Sequence, residues 1–385
     1  MYSINNTLKE YLLNSSLFFL VGFSSFFITK ITHLSPFYFG FTISILYFFI
    51  CLINNNKLNK KNSILIFSLI SIIFVYDLIN IIITDTYDWF FIILISYVIN
   101  YVGLFLSTII SNSVQNKKVI IKSLIVFFSL SILVGIADAV YRFKSFSVTQ
   151  LVLMSFYDFK SDSIMFDDSN WAGFIFMIAF SFYIYVRDKK FYRNWLIGLL
   201  LFVLVLLSLS RAAIVSSVLI IVYSRYIRMR KRTRLFLDSF IVITIFVLIP
   251  LVINLFMKDG SFGTKIKILT GFKYYLSNAS ITQLFFGNGT GAASNDLSLL
   301  GNCGFSGHLY VIIKVLDMGF IGLFLDVLLF SVLTIITKRE FLYLLIPFII
   351  CGLSMCPTNL CFFYILTGVL VTISQSKRLQ ECNNE

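Results

Sequence analysis

WLIGLLLFVLVLLSLSRAAIVSSVLIIVYSRY, residues 195–226, is the stretch on which the fold turns. Read as one helix, it would carry Arg211 at its centre. The segments that flank it are both strongly basic: Arg187, Lys189, Lys190 and Arg193 precede it, and Arg228, Arg230, Lys231, Arg232 and Arg234 follow it. Short basic loops stay on the cytoplasmic side of a bilayer. Two such loops on one side require an even number of crossings between them, so the chain must turn near Ser210-Arg211. Each leg then has about 15 residues, or about 22 Å at the helical rise, which is short of the ~30 Å hydrocarbon core. The turn is therefore expected to be recessed, with Arg211 at or just under the far surface.

Composition extends this reading to the whole chain. Of its 385 residues 58% are hydrophobic and only 13% charged, and the mean hydropathy is +0.91. A soluble domain has about 25% charged residues; this chain cannot cover a surface with polar groups and needs a lipid solvent. Apolar runs of spanning length recur near 12–28, 37–53, 64–83, 89–110, 119–140, 171–186, 195–209, 212–226, 236–257, 320–337, 341–356 and 359–374. The expected fold is an all-α polytopic membrane protein, one integral domain over 1–385 with about 12 transmembrane helices. Leu12–Ile28 has no basic leader and no small-residue cleavage site, so it reads as a retained first span.

The net charge of +13 would suggest nucleic acid in a soluble protein. Here 21 of the 31 Lys and Arg residues fall in Lys9, the loops near 57–61, 117–122, 187–193, 225–234 and 338–339, and the tail at 377–378. That is the pattern of the positive-inside rule, so no nucleic-acid partner is expected. Both termini are then cytoplasmic. Two long segments, 141–170 and 258–319, face the other side, and Val148–Phe159 has the length of an interfacial helix. Trp89, Trp171 and Trp195 open spans, where interface aromatics belong. The six cysteines have no zinc or disulfide spacing and read as packing residues.

Several residues can carry chemistry. Arg211 has the neighbours Ser208 and Ser210 but no carboxylate beside it. Two roles fit it: a clamp for phosphate oxygens, or a cation snorkelling to lipid headgroups. Arg142, Lys144, Lys258, Lys265, Lys267 and Lys273 bring positive charge to the two long segments and would attract an anionic substrate. His308, one of only two histidines, lies where the second segment returns to the membrane; it is either an acceptor of a hydroxyl proton or a structural hydrogen-bonding group. With only His33 elsewhere, no histidine-based metal site is expected. Asp167, Asp168 and Asn170 suit either a cap on the next helix or sugar hydroxyls. Asp77 reads as the one acid well inside a span. Gly287-Asn288-Gly289-Thr290-Gly291 lacks the Lys-Ser/Thr of a nucleotide loop and reads as a flexible turn.

The order of these features resembles the O-antigen polymerase/ligase superfamily of bacterial inner-membrane glycosyltransferases. Asp168-Ser169-Asn170-Trp171-Ala172-Gly173 is similar to that family's asparagine-containing entry into a middle span. Ser208-Leu209-Ser210-Arg211-Ala212 resembles its Ser-x-Ser-Arg turn, and Phe286-Gly287-Asn288-Gly289 resembles the Phe-Gly-x-Gly of its large periplasmic loop. His308 with Gly319 and Gly322 resembles its His–Gly-x-x-Gly spacing. The likeness spans residues 165–340. Two positions depart from it: Leu309 follows the histidine where the family has a polar residue, and Lys265 and Lys267 stand where an arginine is common.

The resemblance implies a GT-C-like protein of the bacterial cell inner membrane with segments 141–170 and 258–319 in the periplasm. It implies transfer of a glycan from an undecaprenyl-pyrophosphate carrier to a sugar hydroxyl, with no cofactor and no obligatory metal. Arg211 and His308 would be catalytic; Arg142, Lys265, Lys267, Asp168 and Asn170 would bind the pyrophosphate and glycan. The partners implied are the undecaprenyl-pyrophosphate-linked oligosaccharide, the lipid bilayer and a chain-length regulator protein. Within the family an O-antigen polymerase is the first expectation and an O-antigen ligase the alternative. A flippase or transporter of the same lipid-linked unit is the alternative of another class.

Overall fold

The computed structural model describes residues 2–29, 35–53, 62–84, 90–114, 116–144, 163–166, 169–230, 233, 260–289, 291–293, 309–355 and 360–375. They form α1 (Tyr2–Gly22), α2 (Pro36–Ile53), α3 (Ser63–Thr84), α4 (Phe90–Ser113), α5 (Lys117–Lys144), α6 (Ser169–Asp188), α7 (Trp195–Leu207), α8 (Arg211–Tyr226), α9 (Gly260–Asn278), α10 (Ile281–Phe286), α11 (Tyr310–Ile336), α12 (Leu342–Gly352) and α13 (Cys361–Gln375). No strand occurs among the described residues. α3, α5, α11 and residues Asn170–Asp188 of α6 are long and apolar enough to cross a membrane, and Pro36–Ile50, α7, α12 and α13 are shorter apolar helices. A helix overlaps every expected span except 236–257, which lies outside the described residues, as does Val148–Phe159; the first helix runs Tyr2–Gly22 and stops six residues short of the expected end of span 12–28.

The surface is the reverse of a soluble protein's. α3 exposes Ile64, Phe67, Ile72, Val75 and Ile82, α8 exposes Val215, Val218 and Val222, and α11 exposes Phe324 and Val327. Ser107, Asp138, Arg142, Ser217 and Asp326 are buried instead. Such an arrangement suits a lipid solvent, where every polar group must find its partner inside. This is the architecture of an all-α membrane protein.

Small residues set the closest crossing. α4 presents Gly103, Ser107 and Ser111 to Cys361, Gly368 and Thr372 of α13. A Cβ on Gly103 would lie 2.8 Å from Cys361 Sγ, and one on Gly368 would collide with Ser107 Oγ. The Ser111 and Thr372 hydroxyls are 2.7 Å apart. Between lipid-embedded helices, backbones approach where such residues repeat every four positions. α13 is buried along almost its whole length, and its Phe363 stacks on Phe348 of α12, with ring centres 4.6 Å apart.

The turn expected at Ser210-Arg211 is present. α6 fixes its geometry by packing on both α7 and α8. At one end a Cβ on Gly173 would lie 2.6 Å from Ser208 Oγ and 2.7 Å from Ser210 Cβ. At the other, Tyr183 of α6 donates to the Asn194 carbonyl at 2.8 Å, and Asp188 accepts from Ser224 of α8 at 2.5 Å. α7 is thus antiparallel to α6 and α8 parallel to it, which makes α7–α8 a hairpin.

The basic loops collect at one end of the bundle. There Lys189 pairs with Glu340, Arg228 with Asp188, Tyr223 donates to the Arg339 carbonyl at 3.2 Å, and Lys117 Nζ stands 5.0 Å from the Phe191 ring. Asn62 bonds Gln375, which in turn donates to the Ile336 carbonyl at 3.2 Å. The Ser208–Arg211 turn is at the opposite end.

Among its described residues the long segment 258–319 is largely helical. α9 buries Ile268 and Tyr275, seven residues apart on one face, against Ile312, Ile313 and Leu316 of α11, the spacing of an amphipathic helix. α10 opens with a capping box: Ser280 Oγ accepts from Gln283 N at 3.2 Å, and Gln283 Oε1 accepts from Ser280 N at 2.9 Å. α11 begins at Tyr310 and kinks at Gly319, where φ is 64° and ψ −174°.

Candidate functional site

At the end opposite the basic loops, α6, α7 and α8 bring two of the quoted motifs together. Gly173 is small enough for the Ser208–Ser210 turn to seat directly on α6. Asn170, one turn earlier, is half-buried. The turn bends through Leu209, whose φ is 55°. Ser208 Oγ donates to the Val205 carbonyl at 2.6 Å and accepts from Ser210 N at 3.3 Å. Ser210 sits at the N-cap of α8 yet makes no side-chain cap. Its Oγ is buried without a hydrogen-bond partner among the described residues. Arg211 follows it, exposed at the first position of α8. A helix N-terminus presents unbonded N–H groups and positive potential, which with the Ser210 hydroxyl and the Arg211 guanidinium beside it is a chemistry suited to anions.

Arg142 lies next to this turn, since its Nη1 donates to the Leu207 carbonyl at 3.0 Å. Its charge is already engaged. Arg142 and Asp138 form a buried pair at 2.8 Å one helical turn apart on α5. Asp138 also accepts from Ser163 Oγ at 2.6 Å and from Ile164 N at 2.9 Å. Thr29 Oγ1 donates to the Met165 carbonyl at 2.5 Å, so the cluster ties α5, α7 and the segment after α1 to residues 163–166. Asp138 is at the edge of its expected span; the acid that departs from the reading of Asp77 as the one acid well inside a span is Asp326, buried within 320–337.

Lys265, half-buried on α9, donates to Ser354 Oγ at 3.1 Å just beyond α12. The same end of α12 meets α8 through Cys351 and Ser216, 3.8 Å apart. Arg211 is five residues before Ser216, or about 7.5 Å along the helix. A Cβ on Gly352 would stand 3.2 Å from Tyr310 Cβ. The start of α8, Lys265 and the start of α11 therefore converge around 351–354. Lys267 is exposed on α9. Asp168 and His308 lie outside the described residues.

The other two motifs also meet. Asn288 N donates to the Leu316 carbonyl at 2.7 Å and Gly289 N to the Asp317 carbonyl at 3.0 Å. Asp317 Oδ1 accepts from Ala293 N at 2.8 Å. A Cβ on Gly319 would collide with the Phe285 carbonyl, and one on Gly287 would lie 2.5 Å from Asp317 C. Tyr76 of α3 donates to the Met318 carbonyl at 2.5 Å, and Asn80 bonds the Phe286 carbonyl. Gly287–Gly289, part of the 287–291 stretch read from sequence as a flexible turn, is pinned on the α11 kink, because both glycines take positive φ that lets the two backbones touch.

That kink creates a buried charge cluster. Lys314 and Asp326 are twelve residues apart, about 18 Å on a straight helix, yet Nζ and Oδ2 stand 3.1 Å apart. Tyr310 donates to Asp326 Oδ2 at 2.5 Å, and Tyr101 of α4 reaches Oδ1 at 3.4 Å. Tyr310–Met318 therefore folds back beside the remainder of α11. Asp77 of α3 is within electrostatic reach of both Lys314 and Asp326. Its two carboxylate oxygens are buried without a hydrogen-bond partner among the described residues. Asp326 is ten residues from the basic end of α11 and Asp77 fourteen from that of α3, about 15 and 21 Å, so the cluster is at mid-depth. Neither Lys314 nor Asp326 stood out in the sequence; the only signal for each was a charged residue in an apolar run.

Among the described residues no three His, Cys, Asp or Glu side chains are grouped as metal ligands. No protein-family model matches the chain, and no curated protein is similar to it at a significant level.

Proposed function

We propose that the protein is an O-antigen polymerase of the bacterial inner membrane. It joins undecaprenyl-pyrophosphate-linked oligosaccharide units at the end that carries Arg211, which faces the periplasm. The basic loops at the opposite end then face the cytoplasm, as the charge rule requires. The observation that carries this reading is the uncapped start of α8, where Arg211 stands beside the idle, buried Ser210 hydroxyl. In glycosyl transfer an acceptor hydroxyl oxygen bonds the anomeric carbon as the bond to the pyrophosphate breaks. The pyrophosphate leaves with the electron pair, and the hydroxyl proton passes to a base. Arg211, the α8 N-terminus and Lys265 stabilise the charge that develops on the leaving group. His308 takes the acceptor proton, Asn170 and Asp168 bind sugar hydroxyls, and Lys267 adds attraction for the anionic donor. Arg142 acts through the turn it holds at Leu207.

The experiment is O-antigen laddering in cells. Arg211→Ala and His308→Ala, each at normal protein level, are expected to leave a single repeat unit on the lipid core. Full ladders from both would overturn the assignment. Loss of even the single repeat would point to the ligase instead.

A second reading, export of the lipid-linked unit, is favoured by one observation. Transport proteins place ionisable groups at mid-depth, and Asp77, Lys314 and Asp326 stand there. Polymerisation by the purified protein from lipid-linked units separates the two readings.

A further inference from the structure

At the basic end, a cavity of about 600 Å³ lies between α6, α7 and the end of α8. It is lined by Tyr183, Arg187, Asp188, Lys190, Arg193, Trp195 and Arg228. Four cations face one carboxylate. Asp188 is saturated, by Arg187 at 3.1 Å, by Arg228, by Ser224 at 2.5 Å and by Tyr343 at 2.7 Å. Lys190 and Arg193 are exposed and have no ion pair among the described residues. The cavity wall is rigid where Tyr183 bonds the Asn194 carbonyl and Asn194 caps α7.

Its rim is apolar on one side only. Trp195 is 76% exposed, and beyond it Leu196, Leu199, Val203 and Leu206 form an exposed stripe down α7. The cationic pocket stands at the start of α7, and the tryptophan and the apolar stripe follow one another along that helix. That is the sequence of chemistries in a phospholipid: phosphate, interface, acyl chain.

We propose that this cavity is a specific site for the phosphate headgroup of an anionic phospholipid whose acyl chain lies along the Leu196–Leu206 stripe of α7. It is at the opposite end of the bundle from Arg211 and is independent of the glycan substrate. The headgroup phosphate is held by Lys190 and Arg193, with Arg187 and Arg228 behind them. It bridges the end of α6 and the residue just beyond α8, as Asp188 does from within through Ser224 and Arg228.

The test uses the full-length protein purified in a neutral detergent, with native mass spectrometry counting bound phosphatidylglycerol or phosphatidylcholine. Wild type is expected to retain phosphatidylglycerol preferentially. Lys190→Gln/Arg193→Gln is expected to weaken it roughly tenfold, while the charge-matched Lys118→Gln/Lys122→Gln at the same end leaves it unchanged. Inorganic phosphate at millimolar concentration is expected not to displace the lipid. Equal retention of the two lipids, or equal loss in both double variants, would overturn the proposal. So would full displacement by inorganic phosphate, which would mark a site for soluble phosphate. Should the double variant fail to fold, Arg193→Gln against the charge-conserving Arg193→Lys provides the same contrast.

Discussion

Asp138–Arg142 and Lys314–Asp326 are both buried ion pairs within one helix, and they differ in how they are completed. The first is local, four residues apart, and its carboxylate accepts from Arg142, Ser163 and Ile164. The second is brought together by the kink at Gly319 and shares its lysine's field with Asp77, which has no hydrogen-bond partner among the described residues. A saturated cluster holds a structure; one with an idle carboxylate keeps a second arrangement within reach. The saturated pair lies under the Arg211 turn, and the pair beside an idle carboxylate lies beneath the α11 kink.

The largest effect expected from this contrast is on the first pair. Asp138→Ala leaves Arg142 buried and uncompensated, which costs about 3–5 kcal/mol, read as a lowered unfolding midpoint in detergent. A change under 1 kcal/mol would break the contrast from that side. Asp326→Asn is expected to cost less, about 2 kcal/mol, because Asp77 remains beside Lys314. In a double-mutant cycle, Asp77→Asn with Asp326→Asn should be worse than the sum of the singles by about 0.5–3 kcal/mol. Strict additivity would show that the two acids do not share the lysine.

Gly319→Ala comes next. An alanine at φ 64° costs about 1–3 kcal/mol, and its Cβ also meets the Phe285 carbonyl. Protease sensitivity near 285–293 is expected to rise as α10 lifts from α11. Smallest is Asp77→Asn alone, expected to stay within about 0.5 kcal/mol of wild type or to stabilise, since its carboxyl group has no hydrogen bond to lose among the described residues. A large loss there would make Asp77 a structural partner after all.

Much of the fold is legible in the sequence, for physical reasons that vary by element. Apolar runs located the helices because lipid leaves few alternatives to a helix. Parity of basic loops located the turn at Ser210-Arg211. The helices α9 and α10 were missed because their polar, glycine-containing sequence was read by composition, although Ser280 and Gln283 have capping-box spacing. Asp138 and Arg142 have helical i,i+4 spacing, a pair visible in the sequence had Arg142 not been assigned to a loop. Lys314 and Asp326 were not legible as a pair, because their contact depends on a kink at Gly319 that twelve apolar-rich residues do not announce. At the Arg211 turn the residue types were readable. The idle Ser210 hydroxyl was not, because a Ser at an N-cap normally bonds the helix it caps.

In the proposed glycan transfer the Arg211 turn holds the pyrophosphate leaving group. The most direct measurement is the product of purified protein in liposomes supplied only with undecaprenyl-pyrophosphate-linked repeat units, resolved by length on a gel. Wild type is predicted to give a ladder and Arg211→Ala only the single unit, with binding of the lipid-linked donor weakened in parallel. An equal ladder from Arg211→Ala, or no ladder from a folded wild type, would contradict the claim.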